Sequence, residues 1–247
     1  MNNYIGTIHN TTISGQLEIL TAPIKERVDV RFLNTGYVTS AILSNVLRGN
    51  VRDKLMPTVY GVGVLGEKYP AKLNGLMQKE YTVWTQMLKR CYDPKEHARY
   101  PRYIGCTTSD NFRYYEYFYE WCNNQIGFNN PGWHLDKDLL FKGNKLYSED
   151  TCVFLPAEIN TALTSANTIR GELPIGVQLS PAGNYISSYN LGGIHYHGGT
   201  FYTVEDAFFH YKQAKEQYLQ HLGYLWEPYI DPRAFLALMH YSVNIDD

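Results

Sequence analysis

Between His134 and Asn160 the chain gathers the side chains from which acid–base and metal-assisted hydrolysis are built. It reads His134-Leu135-Asp136-Lys137-Asp138, then Lys142-Gly143-Asn144-Lys145. After Tyr147-Ser148-Glu149-Asp150-Thr151 come Cys152-Val153-Phe154-Leu155-Pro156 and finally Glu158-Ile159-Asn160. A second constellation is basic: Lys89, Arg90, Lys95, Arg99 and Arg102, with Arg113 soon after and Tyr92, Tyr100 and Tyr103 interleaved. Lys and Arg supply most affinity for phosphates, so this stretch fits a DNA-backbone contact, and equally a solvated charged surface. The four cysteines, Cys91, Cys106, Cys122 and Cys152, form no C-x-x-C pair. Without metal-knuckle spacing they read as reduced thiols, with Cys91 and Cys122 at helix-core positions. His195-x-His197 offers two imidazoles on alternate positions without a third ligand, which reads as strand surface.

Short elements must position these groups. His134 to Leu140 reads as a strand, Cys152 to Leu155 as a second, and Pro156 fits the first turn of a helix running to about Leu163. The order is strand, loop, strand, helix in about thirty residues. Upstream, Val28, Val30 and Phe32 alternate with Arg27, Asp29 and Arg31, and Asn34-Thr35-Gly36 supplies the turn of a hairpin. Val59 to Gly66 looks like a strand or extended linker. Trp84, Met87, Leu88 and Cys91 mark one helix, which Pro94 stops. Ser109-Asp110 starts another, with Phe112, Tyr115, Phe118, Tyr119 and Cys122 as its stripe. Thr164 to Gly171 is a polar linker. Three strands follow: Ile175–Leu179, Tyr185–Tyr189 and Ile194–His197. Thr203 and Asp206 then open a long helix along Ala207, Tyr211, Ala214, Tyr218 and Leu222, and Asp231-Pro232 opens a last one, to about His240.

The chain has 247 residues, 44% hydrophobic and 19% charged, an ordinary globular composition. Met1 to Thr12 is polar and carries no signal-peptide pattern, and no run of 18 apolar residues suggests a membrane span. A net charge of −2 excludes a generally basic DNA binder, so any nucleic-acid contact must use local clusters. Tyrosine equals lysine plus arginine, 22 each, which suits contact surfaces and small α+β cores alike.

The motif from His134 to Asn160 resembles the HNH nucleases of bacteriophages, including their free-standing homing endonucleases. The resemblance implies metal-assisted phosphodiester hydrolysis with Mg²⁺ or another divalent ion such as Mn²⁺. By position, Asp136 matches the metal carboxylate, Asn160 the helical metal ligand and Asn144 the asparagine that braces the loop. Tyr81 to Tyr92, Gly105-Cys106-Thr107 and Phe112 to Trp121 resemble the lead-in of a phage HNH subfamily in which Leu-Asp-Lys-Asp and Gly-Asn-Lys are the usual form. Gly171 to Gln217 resembles an AP2-type module, a three-stranded sheet on one helix that reads the major groove from strand side chains. That likeness implies Gln178, Tyr185, Ser187, Tyr189, His195 and His197 as DNA-contacting positions, although these strands hold almost no Arg or Lys. The first sixty residues look like a small β accessory domain of such proteins.

One departure bears on the chemistry. The general-base His of the family falls where this chain has Lys137, and a lysine protonated at neutral pH is a poor base. His134, two residues before Asp136, is the candidate replacement. Asp138 or a metal-bound hydroxide is the alternative, and Lys137 is left to steady a phosphate. The reading is therefore an α+β chain of three parts. They are a β-rich accessory domain (1–66), an HNH-like ββα-metal nuclease domain (67–165) and an AP2-like DNA-binding domain with a C-terminal helix (166–247). It would act on double-stranded DNA in the host cytoplasm. The rival reading is a catalytically degenerate HNH-like protein that binds DNA or a host factor.

Overall fold

The computed structural model describes residues 4–164 and 173–247. The expected polar linker after Thr164 lies outside the described residues. The chain is mixed α+β and divides into two compact units, Met1–Glu120 and Trp121–Asp247. The expected 67–165 module therefore runs across the boundary between them.

The first unit opens with a four-stranded antiparallel sheet, β1 (Ile8–Asn10), β2 (Gln16–Ile19), β3 (Arg27–Phe32) and β4 (Val38–Ile42), in that order. The alternation seen in the sequence is the cause of its burial. Val28, Val30 and Phe32 are buried, while the side chains between them carry charge at the surface. The expected hairpin is β3–β4, pairing Val28 with Ala41 and Val30 with Thr39. A short helix α1 (Leu43–Leu47) closes this core with Val46. The strand expected over Val59 to Gly66 is mostly turn, with isolated bridges from Val59 to Gly63 and from Val64 to Tyr114. The hairpin β5 (Lys72–Leu73) and β6 (Leu76–Met77) turns on Asn74-Gly75, both at positive φ. Next comes α2 (Lys79–Tyr92), and its stripe of Trp84, Met87, Leu88 and Cys91 is fully buried as the spacing requires. Pro94 ends α2 and also begins α3 (Pro94–Arg99), capped by Asp93 Oδ1 accepting from the Lys95 N–H at 2.9 Å. After β7 (Thr107–Thr108) the expected second helix forms in two pieces, a 3-10 turn Asn111–Arg113 and α4 (Tyr115–Asn123). Within this unit Trp84 donates from Nε1 to the Phe112 carbonyl at 2.8 Å, tying α2 to that turn.

The second unit holds β8 (Trp133–Asp136), β9 (Leu146–Tyr147), β10 (Val153–Pro156) and α5 (Ala157–Leu163). It continues with β11 (Val177–Leu179), β12 (Tyr185–Leu191), β13 (Ile194–Phe201), α6 (Val204–Trp226) and α7 (Pro232–Met239). β8 is shorter than expected, ending at Asp136 and not Leu140. β10 pairs antiparallel with β8, and α5 follows without a loop. Ile159 and Ala162 of α5 are buried with Val153 and Leu155 of β10 and with Leu219, Leu222, Ala234 and Leu238 of α6 and α7. Burying each of the larger side chains stabilises by about 1.5–3 kcal/mol. The last three strands form an antiparallel sheet in the order β11-β12-β13, with α6 packed on one face through Ala207, Phe208 and Tyr211. Thr203 caps α6 by accepting from the Asp206 N–H at 3.2 Å, as the capping signal in the sequence predicts. Among the described residues no helix is long and apolar enough to cross a membrane.

Candidate active site

Asp136 is the last residue of β8, opposite Val153 of β10. The strand stops there because Asp136 caps the turn that follows. Its Oδ1 accepts from the backbone N–H groups of Asp138 (3.0 Å) and Leu139 (2.8 Å). Among the described residues no hydrogen bond falls on Oδ2. Burial pushes the carboxyl above the usual carboxylate range and outweighs the two backbone bonds; the nearby Asp138 charge adds to the rise. His134 lies two residues earlier on β8 and is exposed. Alternate strand positions project to one side, so its imidazole leaves the strand on the Asp136 side. Asn160 sits in α5, half-buried, one residue beyond the Ile159 that anchors the helix to the core.

The loop from Lys137 to Leu146 is closed by two side chains. Asn144 donates from Nδ2 to the carbonyls of Lys137 (2.8 Å) and Leu146 (2.6 Å), and its Oδ1 accepts from the Leu146 N–H at 3.0 Å. The asparagine thus spans the loop from end to end. Lys137 is 5% exposed. Its Nζ donates to Asp138 Oδ1 and to the Asn144 carbonyl, each at 2.5 Å, and stands 5.7 Å from the Tyr147 ring centroid. The ammonium braces the loop from inside and does not present itself to a phosphate, and the Asp138 oxygen it holds is committed as well. His134 keeps its solvent access.

One neighbour of this site carried no signal in the sequence. Tyr241, after α7, is pushed up to about 12 by burial and by the carboxylates of Asp247, Asp136 and Asp138. Lys142 from the loop lies over its ring at 5.4 Å, donates to the Ser242 carbonyl at 2.7 Å and pairs with Asp247. The C-terminal segment therefore lies along the 137–146 loop, a hundred residues away in sequence, where no local pattern could announce it. Cys152 is buried, and desolvation pushes its thiol up to about 12, with Asp136 adding to the rise. Among the described residues no group of three or more His, Cys, Asp or Glu side chains is placed to hold a metal. Amide oxygens such as that of Asn160 stand outside that set.

The three-stranded sheet splits the six expected DNA-contacting residues between its two faces. Tyr185 and Tyr189 pack against the α6 core, and Tyr189 stacks with His210 at 6.1 Å. Ser187 is fully buried and its Oγ meets His210 Nδ1 of α6 at 3.2 Å. These three face the helix, which corrects the expectation that they contact DNA. The tyrosines carry the larger apolar surface, so burial takes the Tyr-x-Ser-x-Tyr face inward. Gln178, His195 and His197 project from the opposite face. There Ser188 Oγ lies 3.5 Å from Gln178 Nε2 and 3.4 Å from His195 Nε2, and His195 Nδ1 is 3.0 Å from Asn190 Oδ1. Ser188 and Asn190 alternate with the inward residues along β12 and pair with His197 and His195 of β13; they were missed because the strand pattern does not show which of its faces a helix covers.

In the first unit, Lys89 pairs with Glu96 at 2.7 Å, and Lys95 is exposed in α3. The Arg90, Arg99 and Arg102 guanidiniums each lie over a tyrosine ring. Compared with protein families, with curated proteins and with solved structures, the chain matches none.

Proposed function

We propose that this chain is a bacteriophage HNH-type DNA endonuclease that hydrolyses phosphodiesters with a divalent cation, Mg²⁺ or Mn²⁺. The observation that carries the reading is the unbroken sequence β8, braced loop, β10, α5, with a half-buried Asp136 carboxylate at the strand end. The donor set fits a hard cation in kind. Asp136 Oδ2 and the Asn160 amide are oxygen ligands, and a cation would relieve the desolvated Asp136 charge. Held by these two residues, the ion would supply charge stabilisation at the scissile phosphate. The chain's own residues do the rest: backbone N–H groups fix Asp136 Oδ1, Asn144 and Lys137 hold the loop in shape, and His134 accepts a proton from the attacking water. In an AP2-like arrangement the outer sheet face, with Gln178, Asn190, His195 and His197, would meet the duplex.

The test is cleavage of supercoiled plasmid with Mg²⁺ or Mn²⁺ beside the Asp136→Ala, Asn160→Ala and His134→Ala proteins. Nicking or linearisation by wild type, abolished in the first two and reduced in the third, supports the reading. DNA binding without cleavage on any substrate supports the second one, a degenerate HNH-like protein that binds DNA or a host factor. The burial of Lys137 at the position of the family's general base favours that alternative.

A further inference from the structure

In the segment that joins α2 to β7, neither α3 nor the 3-10 turn Pro101–Tyr103 buries a residue, and burial resumes only at Cys106, just before β7. What it does is collect charge. The Arg90 guanidinium carbon lies 5.5 Å from the Tyr103 ring centroid, and that of Arg99 lies 5.2 Å from Tyr100. Arg102 stands between the two rings, 5.6 Å from Tyr100 and 5.1 Å from Tyr103. The rings themselves meet edge to face at 6.2 Å. The local order is secured independently: Asp93 caps α3, His97 Nε2 meets the Arg90 carbonyl at 2.9 Å, and Glu96 pairs with Lys89. Three like charges are thereby held together on a surface where Arg99 and Arg102 are exposed, an arrangement that folding alone does not favour.

We propose that Arg90, Arg99 and Arg102, racked on Tyr100 and Tyr103, form a binding site for the phosphate backbone of duplex DNA. The proposal deepens the DNA-directed reading above and rests on it. Arg102 donates one N–H to Tyr103 Oη at 3.4 Å; a guanidinium carries five N–H donors in a planar fork that matches phosphate oxygens. Stacking also fixes side chains that would otherwise lose freedom on binding. Because the cations stand over the ring faces, those faces are closed to nucleobases, so the site addresses the backbone and not unstacked bases. With a net charge of −2 on the whole chain, such a local cluster must supply the salt-dependent part of binding.

The test is fluorescence anisotropy with a labelled duplex oligonucleotide in EDTA, across a salt series, using the full chain. The triple variant Arg90→Ala/Arg99→Ala/Arg102→Ala is expected to bind at least about tenfold more weakly at low salt. Its slope of log K against log salt should be shallower by about 0.9 for each phosphate that is no longer neutralised. Arg99→Lys/Arg102→Lys keeps the charge but not the stacked fork, and is expected to forfeit most of the same affinity. Tyr100→Leu/Tyr103→Leu should weaken binding several-fold, and Tyr100→Phe/Tyr103→Phe should retain it. Wild-type affinity and slope in the triple alanine variant would overturn the site, and wild-type affinity in the lysine variant would overturn the rack. Weakening confined to single-stranded DNA or RNA would overturn the duplex assignment. Circular dichroism checks folding, and the assay needs no cleavage, so its failure is distinct from failure of the Asp136 site.

Discussion

Asp136 and Lys137 adjoin in the chain and solve opposite problems. Asp136 is a carboxylate held partly out of water with its proton affinity raised by burial. A carboxyl whose folded-state pKa is raised costs stability as pH rises from its unfolded value, about 3.9, through its folded one, and the cost persists at neutral pH. Asp136→Asn keeps an oxygen for the two backbone donors and removes the charge. In EDTA the variant should therefore be more stable than wild type at pH 7, with the difference shrinking toward pH 4. Chemical denaturation at several pH values measures this; a pH-independent difference would remove the desolvated charge as its cause. Under the proposed metal site, Mg²⁺ should narrow or invert the ranking, since a ligand bound only by the folded wild type would add about 2.7 kcal/mol at a hundredfold excess over Kd. Lys137 is the reverse case, a buried cation with a carboxylate and a carbonyl as partners. Because Asp138 is 54% exposed, removing the ammonium costs less than breaking a fully buried pair. Lys137→Ala should lower stability by about 1–3 kcal/mol, the cost of leaving such groups unsatisfied. Lys137→His should lose stability without gaining cleavage activity, because the ammonium's bonds are what the position supplies. A His variant that cuts faster than wild type would show the position to be catalytic.

At the scale of elements, the three-stranded sheet divides labour between its faces. Ser187→Ala removes a buried hydroxyl that meets His210 and should cost about 1 kcal/mol of stability while leaving DNA affinity unchanged. Gln178→Ala and His197→Ala on the outer face should do the opposite, and paired denaturation and anisotropy measurements separate the two. The close approach of sheet and helix also depends on one glycine. Gly176 has φ +78°, and a Cβ there would stand 2.0 Å from the Tyr211 ring of α6. Gly176→Ala is strained in backbone and in space, and a loss of about 2–4 kcal/mol is expected, read as an earlier unfolding of the second unit.

Across the second unit as a whole, the C-terminal segment works as a strap. Lys142 donates to the Ser242 carbonyl. Lys212 donates to Ser242 Oγ (2.9 Å) and the Val243 carbonyl (2.7 Å), and Glu216 accepts from the Val243 N–H at 2.8 Å. Val243 is itself buried. Deleting residues 242–247 should speed limited proteolysis of the 137–146 loop. Unchanged protection of that loop would separate the tail from the site. On the proposed reading, DNA binding by the full chain should remain salt-steep despite the acidic net charge, because the Arg90, Arg99 and Arg102 cluster would supply it.

Much of this architecture follows from local chemistry alone. Period-two alternation gives β3 its buried face, the Trp84-to-Cys91 spacing gives α2 its buried stripe, and Thr203 with Asp206 starts α6, each through forces acting within a few residues. The strand–loop–strand–helix order around Asp136 is legible for the same reason, whereas the expectation that Asn144 braces the loop came from the family resemblance. The end of β8 at Asp136 has a local cause too, since its carboxylate takes the N–H groups two and three residues on, but local chemistry could not say how that turn would compete with a longer ladder to β10. Nor could it say that Lys137 would be buried, or that Tyr185, Ser187 and Tyr189 would turn toward α6. A strand shows its two faces but not which one a distant helix covers. Only tertiary packing made that choice, by burying the face with more apolar area, and only the folded chain brings Tyr241 beside a carboxylate more than a hundred residues before it.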